Sequence, residues 1–65
     1  MNNKQRASAR RVLNQYPDIR AQEVGGTLTL SLKSNDATKS DMDVPANMDT
    51  RELERSLNIL CASLT

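Results

Sequence analysis

Phenylalanine, tryptophan and histidine are absent from these 65 residues, and tyrosine and cysteine occur once each, as Tyr16 and Cys61. Each absence closes a route. Without Phe or Trp the core lacks the side chains that bury roughly 150–250 Å² apiece. With one cysteine an internal disulfide is impossible, and with no histidine a structural zinc site lacks its ligand set. A chain of this length buries only about 60% of the surface its unfolded form exposes. A core so small, with no covalent or metal staple, is expected to lean on a partner chain, and a homodimer is the simplest form of that.

The same absences bear on chemistry. No Ser-His-Asp set can be assembled, and Cys61 has no histidine to activate it. The only glycine pair, Gly25-Gly26, is too short for a phosphate loop and lacks its lysine. Asp36, Asp41 and Asp43 are spaced too widely for a calcium loop and have no glycine to bend it. The chain is therefore expected not to be an enzyme and to use no cofactor, metal or small-molecule substrate. Long apolar runs are missing too: nothing approaches the ~20 residues of a membrane span. The opening MNNKQRASARR has no apolar segment behind its charges and does not read as a signal peptide. A lone cysteine suits a reducing compartment, so the expected setting is the cytoplasm, as one domain over residues 1–65.

The strongest pattern present lies near the end. In MDTRELERSLNILCASL (residues 48–64), Leu53, Leu57, Leu60, Cys61 and Leu64 recur at i, i+4, i+7, i+8 and i+11, the stripe of an amphipathic helix. Asp49 with Glu52 three residues on has the form of a capping box, with Met48 and Leu53 placed for a hydrophobic staple. Ile59 falls off the stripe and is a candidate protein interface. A first helix is expected over about Asn3–Tyr16, where Ala9, Val12, Leu13 and Tyr16 share a face and Pro17 forces a stop. Between the helices the rhythm shifts to period two: Leu28, Leu30 and Leu32 alternate with Thr27, Thr29 and Ser31. Gly25-Gly26 fits a two-residue hairpin turn, with Ile19 facing Leu32, Ala21 facing Leu30 and Glu23 facing Leu28. A single long strand with a glycine bulge is the alternative. After the turn-rich KSNDATK, residues Ser40–Val44 form a short strand that Pro45 marks as an edge. The expected fold is α+β: a small two-layer sandwich of N-terminal helix, two- or three-stranded antiparallel sheet and C-terminal amphipathic helix.

Net charge is only +1, but it is unevenly spread. Residues 1–20 set five cations against Asp18, residues 21–50 are acidic by three charges, and the last fifteen balance. Such asymmetry points to a charged partner or to pairing between copies. The segment Lys4-Gln-Arg-Ala-Ser-Ala-Arg-Arg11 resembles the arginine-rich helices with which phage antitermination proteins grip an RNA hairpin, though it holds fewer arginines and no interleaved Glu. The resemblance covers these eight residues and implies nucleic-acid contact by Lys4, Arg6, Arg10 and Arg11; an acidic protein partner would suit the same four. The helix–three strands–helix order is also similar to double-stranded RNA-binding domains. Those domains open their last helix with lysines, whereas here Asp49, Glu52 and Glu54 surround Arg51 and would repel phosphate. The expected function is a small non-enzymatic regulator or inhibitor, of a size carried by bacteria and their phages, that docks on another protein. The alternative is a nucleic-acid-binding regulator acting through the basic first helix.

Overall fold

The computed structural model describes residues 1–65. Its elements are α1 (Asn3–Leu13), β1 (Ile19–Val24), β2 (Thr27–Leu32), β3 (Lys39–Asp43) and α2 (Thr50–Leu64). The sheet is antiparallel in the order β1-β2-β3, so both outer strands are edges. The hairpin has the expected register: Ile19 pairs with Leu32, Ala21 with Leu30 and Glu23 with Leu28. Gly25 and Gly26 have φ of 55° and 84°, the left-handed geometry a tight two-residue turn needs at both positions. No bulge interrupts β1. The third strand pairs Leu28 with Met42 and Leu30 with Ser40, and its ladder extends one residue further, where Val44 N–H donates to Gly26 O.

Alternation sorts the sheet into two faces. Ile19, Leu28, Leu30 and Val44 turn inward and join Ala9 and Val12 of α1 and Leu53, Leu57 and Cys61 of α2 in one core. Both helices therefore cover one face, and the other is left open. The helices run parallel: Gln5 meets Met48, Arg11 meets Glu54 and Tyr16 meets Asn58, so contact proceeds in the same sense along both. The deepest line on α2 is Leu53–Leu57–Cys61, at four-residue spacing, with Leu60 and Leu64 as flanks. That line is the i, i+4, i+8 part of the stripe read from the sequence, with the i+7 and i+11 leucines at its edge. A straight helix turns about 100° per residue, so a 4-4 line tracks one packing groove as closely as a 4-3 line does.

The helix ends depart from expectation in two ways. Asp49 caps α2, but its carboxylate accepts from Arg51 N–H at 3.2 Å, and Glu52 does not close a box. The box forms on α1, where Asn2 Oδ1 accepts from Gln5 N–H (2.8 Å) and Gln5 Oε1 accepts from Asn2 N–H (3.0 Å). Moreover, α1 ends at Leu13, short of Tyr16. Residues 14–16 continue as a tightened turn in which Gln15 and Tyr16 N–H reach back only three residues, to Val12 O and Leu13 O. Pro17 denies the preceding residue a helical ψ, and the tighter turn accommodates that.

Candidate interaction surfaces

The basic segment does fold as a helix, but its cations do not form one patch. At about 100° per residue, Lys4 and Arg11 share one side of α1, while Arg6 and Arg10 lie roughly 100–160° around it. Arg6 is turned toward the sheet, and its Nε donates to Glu23 Oε1 at 3.2 Å. Glu23 also accepts from the amino group of Met1. This explains how an acid sits at an inward position of β1: two cations neutralise it at the rim of the core. The Met1 amino group, then the Arg6 guanidinium, hold the Glu23 carboxyl below the usual carboxylate range against a smaller opposing effect of burial. Arg11 Nη1 lies 3.7 Å from Glu54 Oε2 on the neighbouring helix. Lys4 and Arg10 are exposed and have no ion pair within the chain. Two of the four cations singled out in the sequence thus face acids of the chain itself.

Ile59 stands where the helical wheel puts it. Its exposure is 63%, in contrast to fully buried Leu53, Leu57 and Cys61 on the opposite side of α2. Arg51, Arg55 and Ile59 follow one another at four-residue spacing along the outward face, with Ala62 completing the row. Arg51 and Arg55 are exposed and are in no ion pair. Sequence reasoning balanced these arginines against Glu52 and Glu54 and so passed over them; their spacing from Ile59 was the available signal. Val24, 61% exposed, is the other large apolar residue left outside.

Cys61 is fully buried, and desolvation raises its thiol pKa, so thiolate chemistry at neutral pH is suppressed. No three carboxylate or thiol ligands converge anywhere in the fold. No helix is long and apolar enough to cross a membrane.

Gln5 was missed altogether. It is 1% exposed, and its Nε2 donates to Pro45 O at 2.9 Å and Met48 O at 3.1 Å, with Ala46 O at 3.3 Å sharing. One side chain thereby caps α1 and ties it to the segment that launches α2. A glutamine among charged neighbours gives no sequence signal for such a role, because its partners lie about forty residues away. No protein-family model, no curated protein and no solved structure matches the chain.

Proposed function

We propose that this chain is a small non-enzymatic binding protein that docks on another protein through the outward face of α2. The observation that carries this is Ile59. It is an aliphatic side chain left largely in water, on the element whose opposite face anchors the core. Burying the 63% of it that is exposed would return about 1–2 kcal/mol. Arg51 and Arg55 beside it are of the residue type enriched at binding hot spots, and with no acid of their own to hold them they suit an acidic, partly apolar partner. The fold's own needs are met without that face: no buried side-chain polar atom lacks a partner. A regulator or inhibitor acting by occupancy requires no more than this.

The test is affinity capture from nuclease-treated lysate with the wild-type chain and with Ile59→Glu. The substitution replaces an exposed residue, so it should leave stability within about 0.5 kcal/mol. One protein retained by the wild type and lost with Ile59→Glu is the expected result. Equal retention by both chains, or loss of every partner on nuclease treatment, would refute it.

The rival function, nucleic-acid binding by α1, draws on Lys4 and Arg10, the two of its four cations in no ion pair. It predicts that replacing Arg6, Arg10 and Arg11 by Gln abolishes binding to duplex DNA or hairpin RNA, and that wild-type affinity falls with salt at a log–log slope of roughly −2 to −4. The spread of these cations around the helix, and the engagement of Arg6 by Glu23, favour the protein partner.

A further inference from the structure

The face of the sheet turned away from the helices carries a depression of about 270 Å³ lined by Arg20, Gln22, Thr29, Ser31, Asp36 and Lys39, with no apolar residue among them. The register explains the convergence. Arg20 pairs with Ser31, and Ser31 with Lys39, so the three form one row across the sheet with the hydroxyl between the two cations. Gln22 and Thr29 pair in the next row. The β2–β3 connection brings Asp36 to the rim. Neighbouring strands lie about 4.8 Å apart, which sets the Arg20 and Lys39 backbones roughly 10 Å from each other. Side chains of their length can meet over Ser31 from that distance.

None of the six side chains makes a hydrogen bond or ion pair within the chain. This is in contrast with Arg6, Arg11, Glu23 and Glu54, which face opposite charges. Two cations that flank a hydroxyl in a concave site, with no acid within ion-pair distance, are arranged for an oxyanion. We propose that this depression binds a small phosphomonoester. The dianionic head sits over Ser31 between Arg20 and Lys39, the Arg fork supplies paired N–H donors, and Gln22 and Thr29 supply neutral ones. A bare phosphate underfills the space. Asp36, the one acid in the lining, accepts from an amine or hydroxyl elsewhere on the ligand. Asp41 completes the Gln22–Thr29 row on β3, so a small head is favoured only over the Arg20–Ser31–Lys39 row, whereas a duplex backbone would also extend across Asp41 and Asp43 and is disfavoured on this face. The site is separate from the α2 docking face and independent of it.

Titration at low ionic strength, followed by backbone amide shifts, tests the assignment, with inorganic phosphate and O-phosphoethanolamine as probes. Both should saturate, with shifts confined to the six lining residues and their strand neighbours, and the amine-bearing probe should bind more tightly. Arg20→Gln and Lys39→Gln should each weaken both probes roughly tenfold, the order expected for losing one charge-assisted hydrogen bond. Asp36→Asn should strengthen inorganic phosphate by relieving repulsion, and erase the advantage of phosphoethanolamine. All three positions are exposed, so a thermal melt of each variant should match the wild type. Shifts equally large at Lys4 and Arg10, or unchanged by Arg20→Gln, would mean diffuse anion attraction and overturn the proposal. Failure of both probes to saturate would also overturn it, as would a DNA duplex that shifts the same residues at lower concentration.

Discussion

Replacing Gln5 should damage this protein far more than its place in a basic, solvent-facing helix suggests. The amide has two hydrogens and serves three carbonyls, of Pro45, Ala46 and Met48, while its oxygen accepts from Asn2 N–H. In Gln5→Met, which keeps the length and apolar stem, those bonds vanish together. Pro45 O retains the Met48 N–H bond, and Ala46 O retains the Asn2 side-chain amide at 3.4 Å. The Met48 carbonyl and the Asn2 N–H are the groups that lose their partner. With a net worth of about 0.5–1.5 kcal/mol per hydrogen bond, and more where a buried group is left unpaired, the loss comes to about 2 kcal/mol. For a domain this small, that is a fall in Tm of about 8–16 °C. Urea denaturation should show a lowered midpoint with an unchanged slope. Gln5→Glu supplies a control with a distinct signature. Its carboxylate would point at three carbonyl oxygens, so the folded state raises its pKa above the ordinary value of about 4.3. A group raised on folding leaves stability intact below its unfolded pKa and removes it as pH climbs through the folded one. The Glu variant should therefore approach the wild type in acid and lose ground toward neutrality. If Gln5→Met stays within about 0.5 kcal/mol of wild type, the link between α1 and the start of α2 is not made by this side chain.

The remaining predictions concern the core, the Glu23 cluster, the thiol and assembly. Leu57→Ala should cost about 2–5 kcal/mol and leave little folded protein, whereas Asp49→Ala should cost about 0.5–2 kcal/mol; chemical denaturation of the two side by side checks the ranking. Glu23 is lowered on folding, so its contribution is present above about pH 4.3 and disappears as pH drops through the lowered value. Stability curves of wild type and Glu23→Gln should accordingly converge in acid and separate at neutral pH. Cys61 should react with a thiol reagent only as fast as the chain opens, at a rate that tracks denaturant; prompt labelling of native protein would contradict its burial. If copies of the chain pair, as its small core led us to expect, Tm will rise with protein concentration. A 7.2 kDa species with a concentration-independent melt would exclude the dimer.

Local pattern carried the parts of this fold that depend on near neighbours along the chain. The alternation of Leu28, Leu30 and Leu32, the positive-φ turn at Gly25-Gly26 and the Leu53–Leu57–Cys61 stripe each involve residues a few positions apart. Periodicity alone therefore determined the buried face of α2 and the exposure of Ile59, and it offered the hairpin register, which the structure chose over a bulged single strand. The order of elements and their α+β class followed from the same periods. What the tertiary structure decided lies at long range. Gln5 finds its acceptors about forty residues on, and Arg6 finds Glu23 seventeen residues on. Arg20, Ser31 and Lys39 become neighbours only when three strands align. Composition cannot reveal which cations the fold neutralises and which it leaves to solvent, because that depends on the geometry of closure. Here closure tied Arg6 to Glu23 and placed Arg11 beside Glu54, and it left Arg20, Lys39, Arg51 and Arg55 outside any ion pair.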